Sequence, residues 1–238
     1  MEHLLLNGHN MIIITGASKG IGKFLFDKFS EQGKEVIGTF NSTKVAGNSA
    51  NSMYQVDITN YLQVNDFFLK INDRLNEIIL INSAGANYSA FAHKADIDIW
   101  KKIVDINLVG TFNMIHHVLQ SMRVQNYGRI INFSSVVAQM GVPGTSAYAA
   151  SKAGLWGMSK AIAIENASKE ITINTLNLGY FNTGMINEIP LEIKETIKAK
   201  IPVGNQFGDP ENIFEAINFI IKTPYLTGAS IDINGGII

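Results

Sequence analysis

Met11-Ile-Ile-Ile-Thr15 runs directly into Gly16-Ala-Ser-Lys-Gly-Ile-Gly22, and an amphipathic segment then continues to Phe29. An apolar run of strand length, a glycine turn and a helical periodicity read as strand, turn, helix. In that setting Gly16 permits a tight turn, Gly20 lets backbone approach a phosphate, and Gly22 lets the helix pack close to the strand. The first N–H groups of such a helix favour an anion such as a pyrophosphate, so Ser18, Lys19 and Ile21 join the three glycines as expected binding positions. The spacing is G-x-x-x-G-x-G rather than G-x-G-x-x-G, and a lone glycine-rich turn can be only a flexible loop. Its position between strand and helix favours the nucleotide reading.

Working outward, further strands are expected at residues 34–40, 52–57, 78–81, 129–133, 171–176 and 229–233. Helical stripes lie between them. Leu62, Val64, Phe67, Phe68, Ile71 and Leu75 form one, Trp100, Val104, Leu108, Phe112, Ile115 and Leu119 another, and Ile213, Phe214, Ile217 and Ile220 a third. Asp209-Pro210 makes a good start for the last of these. Only residues 41–51 separate the second and third strands, which is short for a crossover helix and predicts a clipped helix or loop. This alternation predicts an α/β protein, a doubly wound parallel sheet of seven strands with helices on both faces, forming a single domain over residues 1–238. The segment after the sixth strand, Asn177 to Lys200, is placed to form a lid over the crevice at the strand ends.

The composition excludes several classes of function. The 238 residues carry a net charge of −1 with both signs scattered, which predicts neither a nucleic-acid nor a membrane partner. No cysteine is present, so disulfides, thiolate metal sites and a cysteine nucleophile are ruled out. The five histidines lack metal-ligand spacing, and no metal site is expected. The opening residues do not read as a signal peptide, nor any later run as a membrane span, so a cytoplasmic setting is expected.

The chemistry concentrates between Ser134 and Lys152. Tyr148 and Lys152 are four residues apart in an alanine-rich helical stretch, so phenol and ammonium stand one turn apart on one face. A nearby cation favours the phenolate, and the pair can then act as general acid or base. Ser135 ends an apolar strand, where a hydroxyl faces the usual ligand crevice. A lone Tyr-x-x-x-Lys is more often an ordinary helix face; the glycine turn earlier in the chain gives this one weight. Asn107 lies in an apolar stretch, where a buried amide must find partners, so it is either a structural bridge or part of the site. Small residues from Asn82 through Ala84 to Gly85 leave room beside a strand end for a ring or ribose. After the second strand the chain offers Phe40, Asn41, Ser42, Thr43 and Lys44, with no carboxylate for a ribose diol. With Lys19 in the turn, a 2′-phosphate and hence NADP (NADPH) is favoured, although Lys19 and Lys44 could equally be solvated charges.

These motifs resemble the classical short-chain dehydrogenase/reductase family from Thr15 to Gly236: T-G-A-S-K-G-I-G, Asp57-Ile58-Thr59, Asn82-Ser-Ala-Gly85, Asn107, Ser135, Tyr148 with Lys152, and Ile233-Asn-Gly-Gly236. The texture is most similar to the 3-oxoacyl-acyl-carrier-protein reductases. The resemblance implies a Rossmann fold, a homotetramer, and reduction of a 3-oxoacyl thioester in fatty acid or polyketide-type synthesis. In those roles Tyr148 protonates the substrate oxygen, Ser135 hydrogen-bonds it, and Lys152 holds the ribose and favours the phenolate. Asn107 anchors a water linked to Lys152. Asp57 and Ile58 lie by the adenine, residues 82–85 by the ribose and nicotinamide, and Gly179 and Thr183 beside the nicotinamide, with Asn41 after the second strand.

There are departures from the family pattern. N-S-A-G replaces N-N-A-G, and Leu178-Gly179 replaces Pro-Gly. Of two basic residues that dock an acyl carrier protein, Lys169 matches one position and Asn126 occupies the other. A small-molecule substrate such as a free ketone, secondary alcohol or sugar is the alternative to a carrier-bound acyl group, and a nucleotide-binding subunit without turnover is a third reading.

Overall fold

The computed structural model describes residues 10–43 and 52–238. β1 (Met11–Thr15) leads through the glycine turn into α1 (Gly20–Glu31), followed by β2 (Glu35–Phe40), β3 (Met53–Gln55) and α2 (Tyr61–Lys70). β4 (Ile79–Asn82), α3 (Ile97–Val104), α4 (Gly110–Gln125) and β5 (Gly128–Ser135) come next, then α5 (Val137–Met140) and α6 (Ser146–Asn166). β6 (Ile171–Leu178), α7 (Leu191–Lys198), α8 (Pro210–Lys222) and β7 (Ser230–Ile233) complete the chain.

All seven strands pair in parallel, in the order β3-β2-β1-β4-β5-β6-β7. A sheet buried on both faces needs strands that are apolar throughout, and β1 supplies this. Met11 and Ile13 enter one core with Phe67, Met114 and Val118, while Ile12 and Ile14 enter the other with Leu25, Phe29, Phe214 and Ile217. Strand order reverses between β1 and β4, and their C-terminal ends open the crevice where such sheets bind ligands.

Asp209 caps α8 by accepting from the Glu211 N–H, with Pro210 in the first turn, as the sequence predicts. Two helical stripes differ from expectation. α2 stops at Lys70 and leaves Leu62 exposed, while Val64, Phe67 and Phe68 face the core. Between α3 and α4 the chain makes a π-helical turn at Asp105–Val109, where the Gly110 N–H reaches back five residues to the Asp105 carbonyl. The wider turn rotates the following helix: Phe112 is exposed, Met114 and Val118 are buried, and Ile115 is buried as expected. The expected clipped segment between β2 and β3, with Lys44, falls mostly outside the described residues. Asn41 to Thr43 are irregular.

Candidate active site

A cavity of about 470 Å³ opens at the crevice between the ends of β1 and β4. From the glycine turn it is lined by Gly16, Ser18, Lys19, Gly20 and Ile21, and from the end of β2 by Phe40, Asn41, Ser42 and Thr43. Asp57 and Ile58 add a third edge, with Ala84 and Gly85 beyond β4. Ser135, Tyr148 and Lys152 lie at the far end with Gly179 and Thr183. Three expected residues, Gly22, Asn82 and Asn107, stand behind these walls rather than in them.

The glycine turn is built by close approach. A Cβ on Gly16, whose φ is +67°, would come within 2.8 Å of the Ala84 Cα. One on Gly22 would overlap the Gly16 carbonyl oxygen, so α1 can pack on β1 only through glycine. Thr15, not singled out from the sequence, fixes the opposite wall: its hydroxyl accepts from the Ser83 N–H at 3.1 Å and the Ala84 N–H at 3.0 Å. Its place immediately before the glycines was the signal available. Lys19, at the N-cap of α1, makes no side-chain capping bond to the helix. The turn presents backbone N–H groups at a helix N-terminus, with Ser18, Lys19 and Ile21 lining the cavity beside the glycines, and this cradle fits a dinucleotide pyrophosphate. Asp57 is the one carboxylate among the described residues that line the cavity, and its Oδ1 accepts from the Thr59 N–H and hydroxyl.

At the other end Lys152 is buried, and its ammonium donates to the Phe133 carbonyl at 2.6 Å. Burial lowers it from 10.5 to about 8. Tyr148 is half-buried, with the Lys152 Nζ 5.7 Å from its ring centroid. The expectation that Lys152 depresses the phenol is not met. Burial pushes Tyr148 above its ordinary value, a hydrogen bond with Ser135 acts in the opposite direction, and nearby Tyr180 adds to the rise. Loss of water around the phenol outweighs the hydrogen bond with Ser135. At neutral pH Tyr148 is thus a phenol, the form that donates a proton.

Asn107 is a structural bridge. Its Oδ1 accepts from the Ala86 N–H at 2.8 Å, and its Nδ2 donates to the Ala86 carbonyl at 2.9 Å and the Ser151 hydroxyl at 3.0 Å. Ser151 in turn donates to the Tyr148 carbonyl, and Ser134 donates to that of Lys152. These bonds lock the Tyr148–Lys152 turn of α6 against the Gly85–Ala86 loop and β5. Asn82 donates to Asn132 beneath the cavity, and its Oδ1 is buried with no hydrogen-bond partner among the described residues. The Gly179 N–H donates to the Ile233 carbonyl at 2.8 Å, which holds the turn where the family pattern has proline. Asn126 ends α4 with φ +49°, a left-handed position that suits asparagine.

The short chain dehydrogenase family profile matches residues 10–194. The chain belongs to that family. It is an oxidoreductase, and the cofactor the family implies is a nicotinamide dinucleotide. Among curated relatives it is 34% identical to the acetoacetyl-CoA reductase of Shinella zoogloeoides over 233 residues, covering 94% of this chain and 96% of that one. It is 35% identical to the 3-oxoacyl-acyl-carrier-protein reductase of Vibrio cholerae over 234 residues, 94% and 95% of the two chains. For the corresponding Thermotoga maritima reductase the values are 33% over 238 residues, 95% and 96%. No described helix is long and apolar enough to cross a membrane, and no group of metal-ligating side chains is found among the described residues.

Proposed function

We propose that this enzyme reduces a 3-oxoacyl thioester to the 3-hydroxyacyl thioester with NADPH. The carrying observation is that Ser135, Tyr148 and Lys152 meet in the cavity that holds the glycine turn, in a chain similar along nearly its whole length to reductases of acetoacetyl and 3-oxoacyl thioesters. When bound, a nicotinamide cofactor would supply the hydride for the carbonyl carbon. Tyr148 donates its phenolic proton to the carbonyl oxygen, and Ser135 donates a hydrogen bond to that same oxygen. The Lys152 ammonium then stabilises the phenolate until a proton returns from solvent. Asn107 acts through Ala86 and Ser151 as a positioning residue.

For the cofactor, residues 16–22 would hold the pyrophosphate, Asp57 and Ile58 the adenine, and residues 82–85 with Lys152 the nicotinamide ribose. Gly179 and Thr183 would flank the nicotinamide. The choice of NADPH rests on Lys19 and on the uncharged wall from Phe40 to Thr43. The same reading takes the chain as one domain and as a cytoplasmic homotetramer with its Ile237–Ile238 tail at a subunit contact; sedimentation as a monomer would count against the assembly.

The test is the initial rate of NADPH and NADH oxidation with acetoacetyl thioesters of coenzyme A and of acyl carrier protein, beside a simple ketone of similar size. Fast NADPH-selective reduction of a thioester is expected, and the better carrier names the partner. Activity on the ketone alone would overturn the thioester reading.

A further inference from the structure

Ser134 on β5, Asn177 on β6 and Asp232 on β7 are register partners across the sheet, Ser134 with Asn177 and Asn177 with Asp232. In-register neighbours point to the same face, so the three make one polar row, on the rung just before Ser135. α6 lies over that row. The Ser134 hydroxyl donates to the Lys152 carbonyl at 2.9 Å, and the Trp156 indole N–H, one turn past Lys152, donates to the Asn177 Oδ1 at 2.7 Å. Asn177 is buried, and its Nδ2 donates to the Ser230 hydroxyl at 2.9 Å and to the Asp232 Oδ1 at 2.6 Å. That same carboxylate oxygen accepts from the Gln139 Nε2 of α5 at 3.1 Å. α5 is a single turn of four residues, too short to hold itself by its own hydrogen bonds. Side chains fasten it at both ends: the Ser135 Oγ accepts from the Val137 N–H at 3.2 Å, and Gln139 reaches Asp232. Asp232 thereby joins the turn that Ser135 opens to the helix that carries Tyr148 and Lys152.

We propose that Asp232 is a positioning residue for the reduction: by holding Gln139 and Asn177 on one oxygen it fixes α5 against α6, and so places the Ser135 hydroxyl relative to the Tyr148 phenol. This rests on the roles given to Ser135 and Tyr148 above. The tether does not need the charge, because one oxygen accepts both bonds and an asparagine carbonyl can accept the same two. Nor does the fold need the tether. Asp232 is exposed, and without it Asn177 keeps Trp156 and Ser230 as partners. Only the α5 turn is released.

The experiment measures kcat, KM for acetoacetyl-coenzyme A and NADPH affinity in the wild type, Asp232→Ala, Asp232→Asn, Gln139→Ala and the double variant Gln139→Ala with Asp232→Ala. Asp232→Ala should lower kcat by about 10-fold, because a misplacement of about 1 Å can cost about 100-fold in rate. KM and NADPH affinity should stay within about 2-fold of wild type, since neither Asp232 nor Gln139 lines the cavity. Gln139→Ala should lose a similar factor, and the double variant should be no slower than Asp232→Ala, because both changes break one tether. Asp232→Asn should recover most of the rate. An unchanged kcat in Asp232→Ala overturns the proposal and leaves the roles of Ser135 and Tyr148 standing. An Asp232→Asn as slow as Asp232→Ala overturns it too, since the charge rather than the tether would then matter, and so do losses that add in the double variant. A wild type that reduces no carbonyl substrate sinks the underlying assignment and this proposal with it.

Discussion

Replacing Lys152 by methionine should abolish turnover and yet make the cofactor-free protein more stable at neutral pH. Burial holds the ammonium at about 8 against 10.5 in its ordinary state. A difference of about 2.5, at 1.36 kcal/mol per pH unit, means that keeping the charge buried costs about 3 kcal/mol. Below pH 8 the folded and unfolded chains both carry the proton, and the full cost is present. Between about 8 and 10.5 the folded chain loses the proton while the unfolded chain keeps it, so wild-type stability rises with pH through that window. Lys152→Met removes the charge and keeps most of the stem, but it gives up the 2.6 Å bond to the Phe133 carbonyl, worth about 1 kcal/mol. The net expectation is a gain of about 2 kcal/mol at pH 7 that shrinks as pH climbs past 8. Urea unfolding of both proteins at one protein concentration, from about pH 6 to about pH 10, measures it. A variant equal to or weaker than wild type at pH 7, or a gap that ignores pH, would refute the reasoning.

Three other outcomes are expected. Gly22→Ala drives a methyl into the Gly16 carbonyl and to 3.1 Å from the Ser83 hydroxyl, so thermal unfolding should show a loss of roughly 1–3 kcal/mol together with weaker cofactor binding; wild-type affinity would contradict the cradle. Lys19→Ala should weaken NADPH by about 10-fold or more and NADH far less, as loss of a charge-assisted hydrogen bond does, and fluorescence titration showing equal losses would remove Lys19 as the 2′-phosphate reader. The kcat/KM for reduction should fall above about pH 8 as Lys152 loses its proton, while Tyr148, raised by burial, is still protonated. A profile level to pH 10 would mean that the Lys152 charge is not required.

The centre of the sheet was legible because β1 and β4 are dense apolar runs of strand length, as a parallel sheet covered on both faces demands, while the edge strands β3 and β7 are short and partly exposed. The glycine turn and the Tyr148–Lys152 spacing were legible because sequence separation alone fixes them on a turn and on one helix face. What depends on register across elements was not. The π-helical turn before Gly110 shifts the face of α4 by part of a turn, so Phe112 pointed inward on the regular pattern and outward in the structure. The sign of the Tyr148 perturbation was missed because spacing reports the neighbouring cation but not how much water the phenol has lost. The bridging role of Asn107 depends on Ala86 and Ser151, which lie 21 and 44 residues away in sequence.

The most direct test of the central claim is to titrate NADPH into Tyr148→Phe and to measure its turnover of an acetoacetyl thioester on the same preparation. The account predicts cofactor affinity close to wild type, because the ring remains, with turnover lower by about 100-fold or more, because the proton donor is gone. Near-normal turnover with intact binding would show that Tyr148 is not the acid and that the reaction has been assigned to the wrong group.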